Sequence, residues 1–245
     1  RLTYAGAFDI FRTKNRLGNC AAGALAEEPR RGMRTYVFRV AAAVYLVAAA
    51  AALATGYEAY VKYGEGMNAI PWWPHPTLTS MRCQMLYDAS YINYAGTITE
   101  FELEKTDASS AEFYNVKFYL CHTSLSSLTA IFAQNYDGNT PTMVASFATY
   151  KLPAVVGPYP IPMTETFAYN NEDNLLFEVT WESSDKTNVM CRIKNGSVAG
   201  HRCFAWDYNA VTGTSDLIAY NALIVFDKYP AVAPASLGRI KALHR

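Results

Sequence analysis

Leu175-Leu176-Phe177-Glu178-Val179-Thr180-Trp181-Glu182 decides the fold. Leu175, Phe177, Val179 and Trp181 fall on one side of an extended chain, and Glu178, Thr180 and Glu182 on the other, as in a strand with one wet face. The same period recurs upstream. Tyr114, Val116, Phe118 and Leu120 alternate with Asn115 and Lys117, and Phe101 and Leu103 alternate with Glu100, Glu102 and Glu104. Leu217 to Phe226 ends in the consecutive run Leu223-Ile224-Val225-Phe226 and reads as a central strand. From Met81 onward, short apolar runs and turn residues alternate closely, which suggests a sandwich or barrel rather than βαβ units. The expected fold is all-β: an antiparallel, jelly-roll-like sandwich. Eighteen Tyr and a 14% aromatic content agree with it.

One interruption is expected. Leu125, Leu128 and Phe132 recur at helical spacing behind Ser124 as N-cap, which predicts one short helix in a connection. Asn135 to Pro141 then turns the chain back to strand. Asn195-Gly196 is a hairpin signal between strands ending at Lys194 and beginning near His201.

The expected organisation has five parts. Residues 1–32 read as a non-native or disordered leader, translated from upstream sequence. Residues 33–54 read as a signal peptide: basic Met33 to Arg39, an uncharged run from Val40 to Ala54, and the small residues of Ala52-Leu53-Ala54 for cleavage. A retained membrane anchor is the competing reading, although the run falls short of the roughly 20 residues a span needs. Residues 55–76, with Pro71-Trp72-Trp73-Pro74-His75-Pro76, read as a linker. The sandwich occupies 77–228, and 229–245 is a tail in which Leu237, Ile240 and Leu243 could share a helix face with an anchoring or sorting role.

Net charge is zero, but from Tyr57 onward 13 Lys and Arg stand against 18 Asp and Glu, five negative charges in excess. A basic stripe for phosphates is missing, which argues against nucleic acid as partner. Four cysteines lie in the body: Cys83, Cys121, Cys191 and Cys203. Disulfides Cys83–Cys121 and Cys191–Cys203 are one reading for an exported domain, and free buried thiols the other. The second pair requires a longer loop around Ser197 instead of a two-residue turn.

Catalytic motifs are missing: no G-x-S-x-G, no H-E-x-x-H and no phosphate-cradling glycine loop occur. His122 follows Cys121, but neighbours in a strand point to opposite faces. Glu172 and Asp173 sit in an Asn-rich stretch that reads as a solvated turn, and neither it nor Asp137-Gly138-Asn139 meets the calcium pattern. No cofactor or metal is expected, and no enzyme. Trp72, Trp73, Trp206 and Tyr208, with Tyr220, are the candidate ligand contacts, forming a platform for sugar rings or a patch for a partner protein. The plainer reading places Trp181 and Trp206 in the core or under loops.

Met81-Arg82-Cys83-Gln84-Met85-Leu86-Tyr87, Val116 to Ser124, Asn135 to Pro141 and Phe167 to Val179 together resemble an uncharacterised β-sandwich module of bacterial secreted and surface proteins, often on chains with C-terminal sorting sequences. The resemblance spans roughly Thr77 to Phe226. It implies a jelly-roll-like fold and a location outside the cytoplasm, and carries no catalytic residues over. The expected function is a non-catalytic adhesion or extracellular structural role, secreted or at the cell surface. A carbohydrate-binding module is the first alternative and an extracellular hydrolase the second. Expected partners are a surface glycan, a protein or a second copy; membrane contact would come only through an uncleaved signal segment.

Overall fold

The computed structural model describes residues 56–227, which lie in one compact unit. The expected leader, signal helix and tail fall outside the described residues. The fold is all-β and antiparallel. Its strands are β1 (Tyr57–Val61), β2 (Gly66–Asn68), β3 (Met81–Tyr87), β4 (Gly96–Lys105), β5 (Glu112–Thr123), β6 (Thr142–Lys151), β7 (Gly157–Ile161), β8 (Phe167–Tyr169), β9 (Asn174–Trp181), β10 (Ser183–Ser184), β11 (Ile193–Ala205), β12 (Thr214–Tyr220) and β13 (Ala222–Phe226). A single helical turn, α1 (Ala89–Ile92), follows β3.

Hydrogen bonding connects all thirteen strands into one sheet, which folds into two layers. One layer runs β1, β13, β4, with β7 and β8 side by side along the far edge of β4. The other runs β12, β11, β3, β9, β5, β6. β11 spans the junction: its start pairs with β2 and β4, and its end with β3. Between the layers, the Phe101 ring of β4 stacks on Phe177 of β9 at 4.5 Å, and Tyr87 of β3 meets Phe101 edge-on. Such inter-layer ring pairs add about 0.5–1.5 kcal/mol each beyond the apolar area they bury.

The stretch expected as a linker belongs to this domain. β1 pairs along its whole length with β13, and Trp72 is fully buried, donating from Nε1 to Tyr159 Oη at 2.7 Å. Its ring packs on Phe113 and Tyr150. The segment expected as extended turns at Ile70-Pro71, whose peptide bond is cis, and this turn leads Trp72 into the core.

The period of two holds in most of β5, whereas in β9 every residue from Leu175 to Trp181 is buried and the expected wet face is covered. Val116, Phe118 and Leu120 are buried as expected, but Tyr114 is only half-buried and Phe113 takes the core position. The phase slips at Asn115, whose φ is +52°. Leu217 to Phe226 is two strands broken at Asn221: β13 is central, whereas β12 pairs only with β11 and leaves Leu217 exposed.

Two turn expectations are corrected. The helix behind Ser124 is not formed. The chain crosses irregularly to a 3-10 turn at Phe132–Tyr136, and Ser124 hydrogen-bonds Asp137 instead of capping. Leu128 and Phe132 still bury, together with Leu86, Cys121, Leu176 and Cys203, in a second small core on the outer side of β3 and β9. Asn195-Gly196 is not a hairpin: β11 runs straight through it. A Cβ on Gly196 would lie 2.0 Å from the Tyr63 carbonyl oxygen, so glycine is needed there for close backbone approach.

Candidate functional surface

Trp73, His75 and Trp206 form a half-buried ring cluster on two loops. Trp73 and Trp206 meet edge to face at 5.4 Å, and His75 lies 5.2 Å from Trp73 and 5.8 Å from Trp206. The Trp73 Nε1 donor is buried and has no acceptor among the described residues. Tyr208 is held nearby, its backbone N–H donating to Ser80 Oγ. Trp72 stands apart from this group, fully buried in the core, and so drops out of any contact surface; Tyr220 is buried as well.

The outer side of β3 and β9 carries polar groups that alternation placed in water. Glu178 is 3% exposed. It accepts from Arg82 Nε at 3.0 Å, Gln84 Nε2 at 2.6 Å and Tyr136 Oη at 2.6 Å. Asn135 Nδ2 in turn donates to Gln84 Oε1. Residues 124–137 and the turn before β12 cover this face, joined by the Ile131↔Thr212 bridge. With three donors on it, from β3 and from the 3-10 turn, the Glu178 carboxylate ties the cover to the sheet.

The remaining interior ions are engaged in the same way. Arg202 pairs with Asp216 and donates to Asn68 Oδ1. Lys105, 1% exposed, donates from Nζ to the carbonyls of Ser109 and Pro153, and burial lowers its pKa. His201 contacts Asp88, which also accepts from Tyr63. On the outer face of β4, burial, hydrogen bonding with Glu100 and the Glu100 and Glu58 charges push Glu102 up to about 7. His122 stacks on Tyr169 and accepts from Asn170 N–H at Nε2; burial, partly offset by Asp173, lowers its pKa.

Among the described residues the cysteines are four free, buried thiols. β9 separates Cys83 on β3 from Cys121 on β5 by at least about 9.5 Å, two strand spacings, with a further offset of three residues in register, and they face different cores. A bridge needs Cα atoms within about 7 Å. Cys191 precedes β11 by two residues and Cys203 lies near its end, where it faces Gln84 of β3 and Ser215 of β12; no hairpin brings the two together, and they sit in different cores. Burial pushes Cys121, Cys191 and Cys203 up to about 11 and Cys83 further. An aromatic disulfide reagent at neutral pH is therefore expected to leave these four unlabelled in the native protein and to label all four in denaturant. Native labelling of any of them would contradict their placement.

No protein-family model, curated protein or solved structure matches this chain. The surface must therefore be read from its own chemistry.

Among the described residues, β6 is the longest edge strand. It is a ten-residue edge strand, uncharged from Thr142 to Tyr150, that among the described residues pairs only with β5. A bulge lies beside Val144, whose carbonyl accepts from Thr164 and Glu165 N–H. Beyond that contact, Ser146, Ala148, Thr149 and Lys151 are exposed. Sequence reasoning missed this edge, because an edge strand and a central strand share one local pattern.

Proposed function

We propose that the chain is a secreted or cell-surface β-sandwich with a non-catalytic role in adhesion or extracellular structure, and that a sheet edge is its contact surface. The observation carrying this reading is β6: an edge strand, uncharged from Thr142 to Tyr150, whose outward backbone groups beyond Val144 offer a template for another strand. The engagement of Glu178, Arg202, Lys105 and His201 inside the fold supports the same reading, since ordinary catalysis needs an acid or base with a free position. The export-like sequence pattern of residues 33–54 and the resemblance to surface modules support the proposed location.

A self-pairing edge makes concentration-dependent oligomers. Sedimentation velocity is expected to show association of the wild-type chain as concentration rises from micromolar to millimolar, and its loss in Ala148→Lys, where each copy brings a charge to the edge. A chain monomeric throughout would remove self-pairing, and oligomers unaffected by the substitution would place the contact elsewhere.

A carbohydrate-binding role is favoured by one observation, the Trp73 donor without an acceptor in a half-buried ring cluster. Glycan-array binding lost in Trp206→Ala would support it.

A further inference from the structure

His201 owes its position to a bulge. Between Ser197 and Arg202 of β11, the partner strand advances only from Ile218 to Asp216, so β11 carries three extra residues, with Gly200 at φ +73°. Bulges of this kind re-aim a side chain. The His201 ring turns inward to 4% exposure. Nε2 lies 3.0 Å from Asp88 Oδ2 and Nδ1 lies 3.2 Å from the Ala199 carbonyl. Tyr63 Oη donates to the same Asp88 oxygen and accepts the Asp88 N–H, with its ring edge-on to the imidazole at 5.3 Å.

Both ring nitrogens thus face atoms that only accept. A neutral imidazole has one N–H and would leave one acceptor unserved; the imidazolium has two and serves both. We propose that His201 is the protonated pin of a pH-sensitive clasp that joins the β1–β2 loop, the β3–α1 junction and the bulge of β11, and that losing its proton loosens the clasp. The effect reaches further, because the Gly200 carbonyl accepts from Leu128 N–H at 2.7 Å and so anchors the cover over the second core.

The groups facing the pin are few. Tyr63 comes from the β1–β2 loop and Asp88 from the junction; Tyr91 of α1 and Tyr87 of β3 pack on Tyr63. Arg202, next in the strand, turns instead to Asp216 and Tyr220. Burial pulls the His201 pKa down, but hydrogen bonds to Asp88 and Ala199 and the Asp88 charge outweigh it, and the net shift is upward. A folded value above the unfolded one, about 6.5, contributes stability that is fully present below that value. The contribution disappears as pH rises through the folded value. Glu102, itself raised, also disfavours the fold as pH rises, so a global melting curve cannot isolate the clasp.

The test is a ring-nitrogen and ring-proton NMR titration of the full chain, combined with amide exchange corrected for intrinsic rates. The His201 midpoint is expected above about 6.5. Protection of the Leu128 and Ile92 amides is expected to fall across that midpoint, tenfold for each unit by which it exceeds the unfolded value, while β9 amides hold. Asp88→Asn should lower the midpoint, and His201→Gln should abolish the step. A wild-type midpoint at or below about 6.5, or a raised midpoint with flat Leu128 and Ile92 protection, overturns the proposal even if a variant fails to fold.

Discussion

Trp72→Ala is expected to remove about 3–5 kcal/mol of unfolding free energy, a large part of the roughly 5–15 kcal/mol that holds a typical domain. The ring is fully buried where the 70–74 segment passes between the layers, against Phe113, Phe118 and Tyr150. Deleting it opens a cavity bounded by β5 and β6. It also strips the donor from the buried Tyr159 hydroxyl, which then loses a partner. Urea unfolding followed by circular dichroism measures the loss. Trp206→Ala, in the half-buried loop cluster, serves as the comparison and is expected to cost much less. Near-wild-type stability for Trp72→Ala would return Trp72 to the surface and the 55–76 stretch to a linker.

Gly196 is the second sensitive point. An Ala Cβ would sit 2.0 Å from the Tyr63 carbonyl oxygen and 2.8 Å from Gly64 N, all backbone atoms that no rotamer change can move. The Tyr63–Gly64 loop is itself pinned, since Asn221 Oδ1 accepts both N–H groups and Asn221 Nδ2 donates to the Gly64 carbonyl. Gly196→Ala is therefore expected to cost about 2–3 kcal/mol and lower the melting temperature by roughly 4–12 °C. Gly196→Asn separates this from a turn. A left-handed turn position tolerates Asn, whereas close backbone packing rejects it more strongly than Ala. Asn tolerated better than Ala would restore the hairpin.

These two residues show where local pattern stops informing. Alternation located β4, β5 and β9 because one face of each packs on the opposite layer, and that face is written in every second residue. It misread the other face of β9. Glu178 looks solvated in sequence, but a cover made of residues 124–137 and the β11–β12 turn lies over it, and no local pattern announces a cover supplied from elsewhere. Trp72 stood among prolines, which say nothing about burial. Gly196 followed Asn195 as in a hairpin, because a glycine required by a crossing backbone and one required by a turn are the same letter. The Cys191–Cys203 expectation failed with that hairpin.

The candidate surface was legible only in part. Trp73, Trp206 and Tyr208 were singled out for their residue types and do lie near or at the surface. His75 completes their cluster and could have been suspected from its place between Pro74 and Pro76. The His201–Asp88–Tyr63 junction was beyond reach: its members are far apart in sequence, and the bulge that turns His201 inward is signalled only by Gly200. The β6 edge was equally hidden, since its openness is a property of sheet order.

The measurement that bears most directly on the proposed role is amide exchange in β6 as a function of protein concentration. If the edge pairs with a second copy, exchange of Ser146 to Lys151 amides slows as concentration rises, while the exposed Val155–Val156 loop stays unchanged. Exchange in β6 that is independent of concentration, in a chain that sediments as a monomer, would contradict an edge built for self-contact.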